Sequence, residues 1–392
     1  MSDSNSISII TDRGTVRVAT RAEVQNIPAW KQAFSQSRKD WRYYQIVEDT
    51  IEGFDYRYFV LEDQAGCVRA IQPFFLLDQD LLQGAGPRAT KLAGRLRRLF
   101  PKALTIRTLM VGCAAGEGHL DPTGAEEASW VGHCLHEALV KYAQRVRARM
   151  VVLKEFPSRY RAPLSCFSSN GYTRVPSLPM TRLNITYDSF DQYMTRALSK
   201  ATRKDLRRKF RGAANAEPIE MQVVQDIAPY VDEIYPLYLN VYNRSHLRFE
   251  KLTKDYLCRL GREMPDRARF FIWRQNGKAI AFSLCMLQGD SIYDEYLGLD
   301  YSVALDLHLY FYTLRDIIQW GIENGFKWYC SSALNYDPKR RLKCELMPVD
   351  LYVTHTSKLM NVVLRRVLPM LEPTRHDKVL KQFPNYAALW ND

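Results

Sequence analysis

The sequence predicts an α/β protein of two tandem units, each a mixed sheet flanked by helices, and three observations lead there. A hairpin pattern occurs twice. Arg57-Tyr58-Phe59-Val60-Leu61-Glu62-Asp63-Gln64-Ala65-Gly66 precedes an apolar stretch at 68–77, and Arg269-Phe270-Phe271-Ile272-Trp273-Arg274-Gln275-Asn276-Gly277 precedes another at 279–287. Each reads as an aromatic and β-branched strand, a polar turn with glycine, and a second strand. Both hairpins then lead to a long amphipathic segment and a short apolar one. Finally, 392 residues exceed the roughly 100 to 200 of one ordinary domain.

The elements follow in order. In the first half a helix is expected over 126–149, with Ala128, Val131, Leu135, Ala138, Leu139, Tyr142 and Val146 on one stripe, then a strand over 151–156. In the second half a helix is expected over 304–324, closed by Gly325, then a strand over 327–332. A helix between two strands of one sheet implies a right-handed crossover and parallel pairing. Between the halves, Ser189-Phe190-Asp191-Gln192 has the form of a capping box. Phe190, Tyr193, Met194, Ala197, Leu198 and Ala201 then carry the helix into the basic run 203–211. The division is accordingly placed at 1–185 and 186–392, with the cleft mainly in the second unit. Residues 81–107 read as a basic helical insertion in the first.

At 46% hydrophobic, 25% charged and 12% aromatic, the composition is that of a folded protein and excludes a disordered chain. The net charge of +12 is concentrated. Residues 81–116 hold seven Lys/Arg and no acid, and 196–211 hold eight Lys/Arg and one acid, Asp205. Such patches suit a phosphate-bearing partner, or a solvated helix face. No apolar run reaches membrane-spanning length, and the first twelve residues lack the regions of a leader, so a cytoplasmic protein without a membrane span is expected. Eight scattered cysteines without a C-x-x-C pair suggest reduced thiols. His133 and His136 share a helix face without a third ligand, and no metal is expected.

The second half resembles the GNAT-fold acyltransferases of the FemAB-like group, which pair two such units. The matching residues are Leu198-Ser199-Lys200-Ala201-Thr202-Arg203-Lys204-Asp205-Leu206-Arg207-Arg208, the hairpin at 269–287, the strand and helix over 292–325, and Tyr336-Asp337-Pro338-Lys339-Arg340-Arg341. The resemblance covers roughly 185–355, with a weaker echo over 40–180. It implies transfer of an acyl group from acyl-CoA or an acyl-carrier protein, as cosubstrate and not as a bound cofactor, to a small-molecule amine. The alternative is an aminoacyl-tRNA-dependent, amide-forming transferase of the Fem type. In either case Lys200, Arg203, Lys204 and Arg207 would meet the phosphates of the carrier. A non-catalytic nucleic-acid-binding protein is the rival class, but 196–211 offers only Phe210 for base stacking. The glycine-rich pyrophosphate loop of acetyl-CoA enzymes is replaced by Leu299-Asp300-Tyr301-Ser302-Val303-Ala304-Leu305-Asp306.

In this fold the cleft lies where the strand before the long helix splays from the strand after it. The first of these is 291–299, whose alternation places Asp294 and Tyr296 on one face and Tyr293 and Glu295 on the other. One of Asp294 and Glu295 is expected to act as base, with Tyr296 beside it and His308 as a further acid/base candidate. Lys154 and Glu155, on the matching strand of the first half, contact substrate or form a buried salt bridge. Tyr336, Lys339, Arg340, Arg341 and Lys343, on the loop after Ser332, are expected to bind an anionic part of a substrate, with a solvated loop as the alternative.

Overall fold

The computed structural model describes residues 7–80, 105–121, 124–214, 217–245 and 248–391. The first stretch of chain forms strands β1 (Ser8–Thr11) and β2 (Gly14–Ala19), helix α1 (Trp41–Thr50), strands β3 (Asp55–Asp63), β4 (Val68–Asp80) and β5 (Thr105–Val111), helix α2 (Ala125–Arg145), and strands β6 (Met150–Pro157) and β7 (Thr173–Pro176). There follow β8 (Met180–Asn184), α3 (Phe190–Ala197), α4 (Lys200–Ala214), β9 (Ile219–Val224), α5 (Val231–Arg244), α6 (Lys254–Glu263), β10 (Ala268–Gln275), β11 (Lys278–Gln288) and β12 (Ser291–Leu299). The chain ends with α7 (Leu309–Glu323), β13 (Trp328–Ser331), α8 (Tyr336–Arg341), β14 (Glu345–Met347), β15 (Val349–His355) and α9 (Lys358–Leu371).

Both hairpins form, and their turns show why. Between β10 and β11, Asn276 and Gly277 have φ of 52° and 76°, the two left-handed residues that a tight hairpin needs. Between β3 and β4, Gly66 takes φ 79° while the Asp63 carboxylate accepts the Ala65 and Cys67 amides. In each unit the hairpin and following strand are antiparallel, and the strand after the long helix pairs parallel to the one before it. The repeat is therefore one of topology, and the two hairpins lie in separate sheets. The apolar stripe of α2 packs with Phe59, Phe74 and Leu109 on the first sheet. Leu314, Ile317 and Ile318 of α7 pack with Phe271 and Trp273 on the second.

Among the described residues the sheets have eight and seven strands, in the orders β1-β2-β3-β4-β5-β6-β15-β7 and β14-β8-β13-β12-β11-β10-β9. The expected division at 185/186 does not coincide with them. Strand β8, before the division, pairs with β13 and β14 of the second sheet, whereas β15, from the far end of the chain, lies between β6 and β7 of the first. A shared core fastens the units further, with Tyr43, Val47 and Phe75 of the first in one cluster with Leu237, Phe270 and Phe282 of the second.

Three elements differ from expectation. The basic helix is broken at Leu198, whose ψ of 150° is extended. Ser189 Oγ accepts the Gln192 amide, but Gln192 Oε1 accepts from Asp188 instead of closing the box, and Ser199 caps α4 anew through Thr202 N. The helix expected from 304 begins at Leu309, because 301–308 form consecutive turns anchored on Asp300. The segment after Ser332 holds the short helix α8 instead of a loop. Of the insertion at 81–107, 105–107 open β5 and 81–104 lie outside the described residues. Among the described residues, no helix is long and apolar enough to cross a membrane.

Candidate active site

Strand β12 carries a β-bulge at the point where the two sheets face each other. On β11, Leu284 pairs with Tyr296 and Cys285 with Asp294, so Glu295 has no partner there, and pairing with β13 stops at Asp294. A bulge inserts one residue and reverses the in/out phase beyond it. This overturns the simple alternation expected for 293–296. Asp294 faces the side of α7, while Glu295 and Tyr296 both face the core shared with the first unit.

The three residues have different surroundings. Both oxygens of half-buried Asp294 accept hydroxyls, from Ser283 and from Tyr329 at 2.7 Å; desolvation raises its pKa, and these two bonds oppose the rise. Glu295 is tied to the first unit, with Arg38 Nε at 2.6 Å on one oxygen and Lys39 Nζ at 3.3 Å on the other. Arg38 and Lys39 also both bind Glu117, Lys39 at 2.7 Å. Burial alone would raise the Glu117 carboxyl, but the two cations hold it well below the usual carboxylate range. The quartet is charge-balanced, with every side chain at most 8% exposed. Balance is what makes four buried charges tolerable. His119 Nε2 donates to Glu117 at 3.1 Å and its Nδ1 accepts from Arg159 at 2.9 Å; burial pushes its pKa down to about 4.

Tyr296 donates its hydroxyl to Glu250 Oε1 at 2.8 Å. Among the described residues, Glu250 has no other hydrogen-bond or ion-pair partner. It is half-buried, and it stands where two cavities meet. The first, of about 570 Å³, lies between the units and is lined by Lys154, Glu155, Ser177, Leu368 and the Glu117 and Glu295 carboxylates among others. The second, of about 560 Å³, lies in the splay of β12 from β13, with Asp294, Tyr301, Tyr310, Lys339, Arg244 and Arg248 in its wall. Phe249, Glu250, Glu295, Tyr296 and 332–334 line both. The first chamber carries five carboxylates against three cations among the described residues.

The corresponding splay in the first unit is closed by the 112–118 segment. Gly118 N donates to Glu155 O at 3.1 Å, and a Cβ on Gly118 would stand 2.6 Å from the Lys154 carbonyl. Those glycines allow close backbone packing. Lys154 and Glu155 form a bulge of their own opposite Leu351, with Glu155 at φ 56°. They are ion-paired at 2.5 Å, and both line the first chamber. Burial lowers the Lys154 pKa, but Glu155 and Glu250 outweigh it and raise it.

Lys339 enters the second chamber fully buried, with its Nζ on the carbonyls of Ser332 and Leu334; burial pushes its pKa down to about 8. The structure thus gathers Lys154, Glu155, Asp294, Glu295, Tyr296 and Lys339 around one cleft. It places the other candidates elsewhere. Tyr336 donates to the Pro179 carbonyl in a small separate core. Arg340 and Arg341 pair with Asp337, and Lys343 is exposed. His308 is the left-handed residue preceding α7, and His136 packs edge-on against Phe167. Lys200, Arg203, Lys204 and Arg207 stand on α4 outside both chambers. Sequence reasoning missed Arg38, Lys39 and Glu117, and it missed Glu250. A run of three charges, Arg38-Lys39-Asp40, directly before an aromatic-rich helix is the one local signal for the first group.

Residues 200–340 match the Acetyltransferase (GNAT) domain family. That stretch contains β9–β13, the bulge and Lys339, so this part of the chain is a GNAT-type acyltransferase domain and the protein is an acyltransferase. No curated protein matches the sequence. Several solved structures are similar to it. L-PGS from Bacillus licheniformis is 14% identical, with 84% of this chain and 96% of that one covered and a TM-score of 0.49. The crystal structure of FemX is 10% identical over 79% and 90%, with a TM-score of 0.47. A tandem GNAT protein from the clavulanic acid biosynthesis pathway is 10% identical over 78% and 84%, with a TM-score of 0.42.

Proposed function

We propose that the protein transfers an acyl group from a phosphate-bearing carrier, acyl-CoA or an acyl-carrier protein, to an amine. The reading rests on one observation: the chamber at the β12/β13 splay and the acid-lined chamber between the units meet at Glu250 and Tyr296. The acyl thioester occupies the former and the amine enters through the latter, where surplus carboxylate favours a cationic acceptor. Glu250, held by Tyr296, takes the proton of the attacking amine. The C–N bond forms as the bond to the carrier breaks, and the carrier leaves with a proton for which Lys339, with its depressed pKa, is suited. Glu295, without a ladder partner on either side, places a backbone N–H at the bulge for the oxyanion. Arg244 and Arg248 at the outer wall suit the carrier's phosphates. Of the expected bases, Glu295 is less suited because both its oxygens are held by cations, and Asp294 because both accept hydroxyls. Eight free cysteines suit a reducing cytoplasm.

One observation favours aminoacyl-tRNA as the carrier. The amides of Ser302, Val303 and Ala304, where a pyrophosphate would sit, are bonded to Asp300, which leaves those donors unavailable to CoA. The basic face of α4 would then bind the tRNA backbone. Purified protein assayed with acyl-CoAs and with charged tRNA separates the two. Release of CoA thiol supports the first, ribonuclease-sensitive transfer the second, and no transfer from any carrier rejects the proposal.

A further inference from the structure

Helix α9 has no buried residue along its whole length, although it lies against the first sheet. Its orientation is fixed. Asn361 accepts the His355 amide at 3.0 Å and donates to the Gly171 carbonyl at 2.8 Å, and Leu364 and Leu368 pack on the shared core. At about 100° per residue, Leu359, Met360, Val363, Val367, Met370 and Leu371 fall within roughly one third of the circumference, away from Asn361. Leu359, Met370 and Leu371 are each at least 70% exposed. Lys358, Arg365 and Arg366 are exposed, and the helix carries no acid; Arg366 stands about 20° from Leu359 at the edge of the arc, while Lys358 and Arg365 lie on the flank away from it. A continuous, exposed apolar stripe on a helix whose charged residues are all cationic is the pattern of a helix that lies in a lipid interface.

We propose that α9 seats the protein on an anionic membrane surface, with the apolar arc in the acyl boundary and Arg366 at the headgroups. Two arguments favour lipid over a second copy of this chain. The helix is about 21 Å long and about 10 Å wide, a footprint of a few hundred Å² that falls well short of the roughly 800 Å² each partner buries in a standard interface. A helix with three cations and no acid would also repel a second copy packed against it, whereas its charge complements anionic headgroups. The location is functional too. Leu368 and Leu371, with Glu372 and Pro373, line the chamber between the units, so its mouth opens where the helix would meet lipid. The inference does not depend on which carrier delivers the acyl group.

The test is co-sedimentation of the full chain with vesicles of phosphatidylcholine alone and of phosphatidylcholine with equimolar phosphatidylglycerol, at low and high salt. Wild-type protein is expected to bind the anionic vesicles, less so at high salt. Val363→Glu with Val367→Glu should lower that binding about tenfold or more, and Arg365→Glu with Arg366→Glu should abolish the preference for phosphatidylglycerol. Circular dichroism melts should be unchanged, because these side chains are exposed. Failure of the wild type to sediment with either vesicle, or equal binding by wild type and variants, overturns the proposal. So does a light-scattering dimer that the Val363→Glu, Val367→Glu variant disperses, which would assign the face to a second copy.

Discussion

Tyr296 and Glu250, 46 positions apart, share a 2.8 Å hydrogen bond in the wall common to the two chambers. Burial, followed by the neighbouring Glu250, raises the Tyr296 hydroxyl well above its ordinary pKa, so it remains a donor and fixes the carboxylate. If Glu250 is the base, Glu250→Gln should lower kcat by about 10²- to 10⁴-fold with little change in the KM of the amine. Tyr296→Phe should lower it less, since it frees the carboxylate without removing it. Steady-state kinetics on both variants decide this. A Glu250→Gln enzyme within twofold or so of wild type would return the role to Asp294 or Glu295.

The Lys339 ammonium gives a second handle. With its pKa pushed down to about 8 by burial, a step that needs its proton should hold constant below that pH and fall about tenfold per unit above it. Lys339→Arg should carry the alkaline limb out of range. Stability moves oppositely. The folded value lies below the ordinary 10.5, so between about 8 and 10.5 the unfolded chain binds more protons and stability rises with pH. Kinetic and denaturant pH profiles of wild type and Lys339→Met test both signs.

The quartet of Arg38, Lys39, Glu117 and Glu295 joins the two units across a sequence separation of 257 residues. Removing one member leaves an unbalanced buried charge, which costs about 3–5 kcal/mol. Arg38→Met should lose roughly that in a denaturant melt, and Glu117→Gln added to it should recover part, because the charges balance again. Glu295→Gln should likewise destabilise, so an activity loss in that variant must be read beside its melt.

Much of the architecture was legible because it is local. The two hairpins show in their turn residues, and each crossover shows in a 3.6-residue stripe between apolar strands, as for Val131, Leu135 and Tyr142. The strand exchange was not, since Val349–His355 reads as a strand whichever sheet receives it. The reversal of phase at Glu295 was also hidden, because a bulge is a property of pairing with β11 and not of the β12 sequence. Glu250 carries no periodic or spacing signal at all. Lys339, by contrast, was reachable from the Tyr-x-x-Lys-Arg-Arg stretch, although only its lysine enters the cleft and the arginines turn to Asp337.

The charge on α4 yields the prediction that separates the two carriers. Lys200, Lys204 and Arg207 are exposed, and the Arg207 contact with Asp191 at 3.4 Å is an exposed pair of little energetic weight. Lys204→Glu with Arg207→Glu should therefore leave the fold intact. With acyl-CoA as donor the phosphates lie by Arg244 and Arg248, so the α4 variant should keep its KM for acyl-CoA while Arg244→Ala with Arg248→Ala raises it. With charged tRNA as donor the order reverses. The α4 variant should bind tRNA more weakly, and the slope of log affinity against log salt should fall by about 0.7 to 0.9 for each phosphate that the variant no longer neutralises. Filter binding across a salt series, set beside the thiol-release assay, reads both.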